Sequence, residues 1–344
     1  MDILFMNISD VENVLLCFPN QPDSCIGTER LFVLKGAMYL FMLAAIFMTV
    51  FGNLLVIITI SHFKQLQSPT NLIILSLALV DCMLGCLVMP FSMVRWVQRC
   101  WFMGELFCQI HSSLDMTLSV ASILHLCLVS IDRYMAICDP LSYRVKVTKS
   151  SIAVYICIIW MFSCMFSFGI VFSKVNIMGL DSTMINPCAG NCALIFNKEW
   201  GVIAPLINFY IPGTVMSCLY LKIFHVARKH ARILSDRMAV IMCREMKGQV
   251  SEQKERKAAT TLGIVMGVFV LCWLPFFLTT VIDPFLGFST PLDVFDALVW
   301  FGYFNSLFNP LIYGFFYPHF QKAFKIIILR YVFHLKKSSN LVLQ

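Results

Sequence analysis

Seven apolar stretches separated by polar joints constrain this chain more than any other feature. They cover residues 34–60, 71–94, 108–131, 151–173, 201–225, 258–282 and 295–317. At a rise of about 1.5 Å per residue, each is long enough to cross a hydrocarbon layer about 30 Å thick. A single stretch reads equally well as a buried core helix. Seven exceed what one soluble core holds, and only 13% of the residues are charged, about half the usual soluble share. The alternation of a membrane β-barrel is missing. The pattern predicts an all-α membrane protein. A seven-transmembrane helix bundle occupies 34–317, after an N-terminal segment over 1–33. The tail over 318–344 opens with a short cytoplasmic amphipathic helix.

Basic residues set the expected orientation. One set of joints and the tail carry Lys64, Arg133, Arg144, Lys146, Lys149, the run from Lys222 to Lys257, and Lys322 to Lys337. The opposite side carries only Arg30, Lys35, Arg95, Arg99, Lys174 and Lys198. The first side is therefore cytoplasmic and the N-terminus extracellular, as in a plasma-membrane protein. The net charge of +7 then suits an anionic leaflet and a cytoplasmic protein partner, not nucleic acid. Residues 1–30 lack a basic region ahead of an apolar one, so the first span is expected to serve as the targeting signal. The sequon at Asn7 lies on the outer side and is a glycosylation candidate. Of the fifteen cysteines, Cys17, Cys25, Cys108, Cys188 and Cys192 fall in oxidising space, with Cys100 close to the same edge. Residue order alone leaves their pairing open.

Polar residues inside spans cost energy and mark function. One group lies near mid-membrane: Asn53, Asp81, Ser122, Asn305, Ser306 and Asn309. Small polar residues also glue helices together, but glue needs no charge. Asp81 among hydroxyls and amides, with no cation at that depth, suits a hydrated Na⁺ or a proton. Pro212, Pro275 and Pro310 are expected to break three helices there. At the inner edge lie Asp132 and Arg133, followed by Tyr134, with Glu255 at the start of the sixth span. Arg133 could simply snorkel. The sharper reading is a switch in which it pairs with Asp132 and Glu255 in one state only. At the outer end lie Asp115, Ser119, Trp273, Phe276, Phe277, Trp300 and Tyr303. A carboxylate among aromatic rings binds an organic cation through a charge-assisted hydrogen bond and cation–π attraction. Asp115 thus has a protonated amine as its expected partner, with water or Tyr303 holding it otherwise. Trp300 reads as core packing.

These motifs add up to a resemblance. Asn53, "LALVD", "DRY", Trp160, Pro212, "CWLP" and "NPLIY" occur on successive spans in the order of the rhodopsin-like G-protein-coupled receptors. Asp115, eighteen residues before Arg133, matches the amine-binding aspartate of the aminergic branch. "SHFKQLQSPTN", "VMPFSMVR", "KERKAATTLGIVMGVF", "DPFLGFSTP" and "NSLFNPLIYGFFYPHF" resemble the trace amine-associated receptors from about residue 25 to 333. The likeness is greatest to the primary-amine members numbered one to four, and the fourth in particular. Two features depart from the family pattern: His319 replaces a tryptophan, and the fourth span lacks a proline near its outer end.

The resemblance implies several roles. Cys108 bonds Cys192, and Cys188 bonds Cys25, which leaves Cys17 over. Asp81, Ser122, Asn305, Ser306 and Asn309 form an allosteric sodium site, the only metal or cofactor expected. Trp273 and Phe269 form a rotamer switch, and Tyr220 and Tyr313 meet Arg133. A heterotrimeric G protein of the stimulatory or olfactory type raises cyclic AMP. Catechol receptors carry serines where this chain has Ala204, Pro205 and Asn208. A small primary or other monoamine fits, with Asn208 taking one polar group. A neuronal biogenic monoamine receptor is the rival within the class, and an organic-cation transporter the rival outside it. The transporter would show internal repeats, and none is found. No motif for an intramembrane enzyme occurs.

Overall fold

The computed structural model describes residues 16–21, 23–25, 30–180, 188–240, 246–316 and 318–327. The helices are α1 (Phe32–His62), α2 (Pro69–Met83), α3 (Met89–Gln98), α4 (Glu105–Cys138), α5 (Pro140–Lys146) and α6 (Lys149–Ser173), followed by α7 (Lys198–Pro205), α8 (Ile211–Val240), α9 (Met246–Ile282), α10 (Leu292–Phe316) and α11 (Pro318–Ile327). Among the described residues there is no strand, only an isolated bridge between Ser24 and Ala189. Six spans are long and apolar enough to cross a bilayer unaided: Phe32–His62, Pro69–Gln98, Glu105–Cys138, Lys149–Ser173, Lys198–Val226 and Gly263–Phe285. The seventh, α10, has 25 residues. It carries the polar residues Asp293, Asp296, Asn305, Ser306 and Asn309 along its length. The protein is a seven-helix, multi-pass membrane bundle.

Local sequence sets the helix ends. Ser68 caps α2 by accepting from Asn71 N at 3.2 Å, with Pro69 following as the first helical residue. Thr148 and Ser151 cap α6 reciprocally, and Asn197 caps α7 by accepting from Trp200 N at 2.9 Å. Each satisfies an orphan N–H of a first turn. Outward faces are apolar, as lipid requires: Leu40, Phe41 and Phe47 on α1 and Met161 and Met165 on α6 are exposed. The helices close a ring in which α1 packs on α2 and α10, α9 on α10 and α8, and α4 on α2, α6 and α8. α4 is the most enclosed, which brings its side chains to the centre.

The prolines behave differently from the expected breaks. α9 and α10 run through Pro275 and Pro310 as helices. Pro212 follows a π-helical turn, Leu206–Tyr210, that absorbs the register change. A second π-helical turn, Leu84–Val88, joins α2 to α3 just before Pro90. The ring of Pro310 lies 2.8 Å from where a Cβ on Gly52 would stand, so α1 braces α10 there only because residue 52 is glycine.

The N-terminal segment packs on one end of the bundle, called here the N-terminal face. Cys25–Cys188 and Cys108–Cys192 are disulfide-bonded, and so is Cys17–Cys100. The last pair corrects the expectation that Cys17 is left over. Residues 17–21 and 23–25 fold back so that Cys17 N bonds Cys25 O and Cys25 N bonds Ala189 O. That fold places Cys17 over the end of α3, with its Cα 5.6 Å from that of Cys100. Gly190, at φ +103°, sits under Cys17, where a Cβ would come within 2.8 Å of the Cys17 Cβ. Arg30 and Arg99 both pair with Asp293 on the same face.

Candidate functional site

α4 presents Asp115 and Ser119 one turn apart. α9 contributes Trp273, Phe276 and Phe277, α10 contributes Tyr303, and the π-helical turn after α7 contributes Asn208. All seven line one cavity holding about 70 Å³ of water-sized space. Asp115 is the only charged side chain on its wall among the described residues. The Tyr303 hydroxyl donates to Asp115 Oδ2 at 2.7 Å, and Ser119 reaches Oδ1 only at 3.5 Å. Phe277 stacks on Phe209 at 4.7 Å, and Trp273 lies 5.6 Å from Phe277. A Cβ on Gly302 would strike the Trp273 ring at 2.6 Å, so this glycine lets α10 seat the indole. The Asn208 Oδ1 and Trp273 Nε1 are buried without a hydrogen-bond partner. A carboxylate between rings, with an open acceptor opposite, can hold an organic cation and one further polar group.

Next to this cavity lie two larger ones, of about 150 and 580 Å³; Asp115 also lines the former, and Ser24 and Cys25 of the N-terminal segment line the latter. Leu194 and Phe196, from the loop tied by Cys108–Cys192, border all three. The sequence reading missed these two and the Arg95–Asp296 ion pair. Arg95 bonds Asp296 at 3.0 Å and the Cys192 carbonyl at 3.3 Å, beside Asp115. A signal for that pair existed. Asp296 lies seven residues before Tyr303 and so on the same face of α10, where a carboxylate needs a cation. Trp300 is buried and packs on Tyr303 at 5.7 Å.

Deeper in the bundle, Asp81 is fully buried. Its Oδ1 accepts from Ser122 at 3.0 Å and Ser306 at 2.7 Å, and its Oδ2 from Asn309 at 2.7 Å. Asn305 is buried nearby on α10, but its Nδ2 has no hydrogen-bond partner. Asn53 bonds the Thr49 and Ser306 carbonyls and ties α1 to α10.

At the far end, Arg133 donates from Nε and Nη2 to Asp132 Oδ2, at 2.9 and 2.5 Å, and also to Thr70. Asp132 accepts from Thr70 at 2.9 Å and from Tyr143 of α5 at 3.1 Å. Burial pushes the Tyr143 phenol above its ordinary value, so at neutral pH it is a donor. Thr70 and Tyr143 were not legible as latch residues, because both belong to other elements. Tyr220 lies against Gly263 of α9, and Tyr313 packs on Phe320 of α11 at 6.1 Å. The side chain of Glu255 and all of Asn7 lie outside the described residues.

Residues 52–313 match the family model described as 7 transmembrane receptor (rhodopsin family). The chain is 49% identical over 326 residues to "Trace amine-associated receptor 4" of Rattus norvegicus, covering 94% of each chain. It is 48% identical over 320 residues to "Trace amine-associated receptor 1" of Homo sapiens, covering 92% of this chain and 94% of that one. It is 49% identical over 311 residues to "Trace amine-associated receptor 2" of Mus musculus, covering 90% of both.

Proposed function

This chain belongs to the trace amine-associated receptors of the rhodopsin family, and on that premise we propose that it detects a small protonated monoamine and signals through a stimulatory or olfactory G protein to cyclic AMP. The observation that carries this reading is Asp115. Its carboxylate faces an apolar, ring-lined cavity, and no lysine or arginine of the described residues pairs with it. Arg95 lies beside the carboxylate but bonds Asp296 and the Cys192 carbonyl instead; an ammonium supplies a directly bonded countercharge, and Trp273, Phe276 and Phe277 supply apolar surface and cation–π attraction. Among the described residues the cavity wall carries no second carboxylate, which favours a monoamine over a diamine. The small free volume suits an aryl-ethylamine or a short alkylamine.

The N-terminal face is extracellular in this reading. Three disulfides and the cavity mouths lie there, and the basic residues concentrate on the other side. Arg133, latched by Asp132, is the group released when the ligand shifts the bundle between two conformations. Asp81, Ser122 and Ser306 would hold a sodium ion, since three oxygens converge in a fully buried place. Asn305 and Asn309 would stand beside it. The ion would supply a countercharge that favours the resting conformation.

The test is an amine panel read by cyclic AMP in cells carrying the receptor, beside radiolabelled amine uptake. A concentration-dependent response that Asp115→Asn removes, without uptake, is the expected result. Uptake without a response would make the protein a transporter.

A further inference from the structure

Asp115 is the end of a hydrogen-bond chain that crosses three helices. The Tyr303 oxygen lies 3.2 Å from Ser92 Oγ on α3, and Ser92 Oγ lies 3.3 Å from His111 Nε2 on α4. His111 Nε2 also reaches the Val88 carbonyl at 3.3 Å, where the π-helical turn of the second span ends. His111, Ser92 and Tyr303 are buried to 1% exposure or less.

The partners fix the direction of every proton. The Val88 carbonyl can only accept, so Nε2 carries the hydrogen. The other tautomer would leave a buried N–H at Nδ1, which has no partner. With Nε2–H pointing at Val88 and at the Ser92 oxygen, the Ser92 hydroxyl donates onward to Tyr303. The Tyr303 oxygen is then occupied, and its own proton has one acceptor in reach, Asp115 Oδ2. Each donor polarises the next.

We infer that His111 is a positioning residue for the amine anchor, acting through Ser92 and Tyr303; the inference rests on the function proposed above. The chain holds Oδ2 and leaves Oδ1 toward the cavity, with only the long Ser119 contact on it. The anchor is thereby aimed before the ligand arrives. Packing alone would give His111 a different role, since Trp101 lies 5.2 Å and Phe91 6.2 Å from its ring. Phenylalanine at 111 would fill that space, whereas glutamine would keep an N–H where Nε2 stands.

The experiment uses the full chain in cells and a panel of aryl-ethylamines and short alkylamines, led by 2-phenylethylamine. Ser92→Ala, His111→Phe and His111→Gln are each made alone and with Tyr303→Phe, at matched surface expression. Ser92→Ala and His111→Phe are expected to raise the half-maximal concentration about three- to tenfold, the size of one neutral hydrogen bond. His111→Gln stays within about twofold of the unaltered receptor, below that size. In the Tyr303→Phe background none of the three shifts the response further, because the chain is already cut. Equal shifts in both backgrounds, or glutamine as poor as phenylalanine, would overturn the relay. If His111→Phe fails to reach the surface, Ser92→Ala decides, since it removes a single hydroxyl from a helix. An unaltered receptor that answers no amine on the panel overturns the proposed function and the relay with it. One that answers amines while Ser92→Ala is silent overturns the relay alone.

Discussion

Tyr303 on α10 and Asp115 on α4 share a hydrogen bond of 2.7 Å, 188 residues apart in the chain. It joins the phenol of one helix to the only carboxylate that lines the central cavity among the described residues. The two residues therefore carry unequal shares of binding. Asp115→Asn keeps the shape and removes the charge, so amine affinity should fall by about 2–5 kcal/mol. Tyr303→Phe loses one hydrogen bond to a charged group, about 1.5 kcal/mol at the low end of its range, because the ligand still neutralises the carboxylate. Competition binding with a labelled amine checks both, and equal losses would contradict the anchor assignment.

Asn208 should choose among amines. Its unpartnered Oδ1 faces the cavity from the side of the π-helical turn. An aryl-ethylamine with a ring hydroxyl should bind more tightly than its bare counterpart by about 1 kcal/mol. Asn208→Leu should erase the difference and leave the bare amine little changed. A preference that survives the substitution means that another group reads the hydroxyl.

The Cys17–Cys100 bond should be found by mass mapping of non-reduced peptides. It closes a loop across 83 residues, and removing it should cost about 2–4 kcal/mol. Cys17→Ser should lower the thermal midpoint of purified receptor. Recovery of Cys17 as a free thiol in folded protein would refute the pairing.

Tyr143→Phe should loosen the Arg133 latch. It removes a donor to Asp132 at 3.1 Å and keeps the ring. A hydrogen bond to a charged group is worth about 1.5–3 kcal/mol, less at a wet edge. Basal cyclic AMP should rise, by up to about tenfold in the population ratio, and amine potency should rise with it, because one equilibrium governs both. Raised basal signalling with weaker potency would exclude a shared latch.

The architecture was legible because a bilayer imposes it. Backbone groups in hydrocarbon must bond within their own helix, so apolar length alone marks Phe32–His62 or Lys149–Ser173 as a span. Asp81 and Asp115 were legible for the same reason, since a carboxylate inside such a length demands a purpose. The cysteine at 17 was not. Its partner depends on how the chain around Cys17 and Cys25 folds back over α3, and no periodicity records that. Arg95 read as an outer charge until helix rotation set it against Asp296.

What the sequence determined by itself is which residues enter the membrane and which of them are polar, since both follow from local composition and a rise of about 1.5 Å per residue. Tertiary structure decided who meets whom. Tyr143 reaches Asp132 from α5, Ser92 stands between His111 and Tyr303, and Asn305 lies without a partner for its amide while Ser306 bonds Asp81. These outcomes depend on the rotation of each helix about its axis and on two π-helical turns that shift the register. A turn of about 100° per residue moves a side chain from one neighbour to the next, and only the packing of the whole ring selects among those positions.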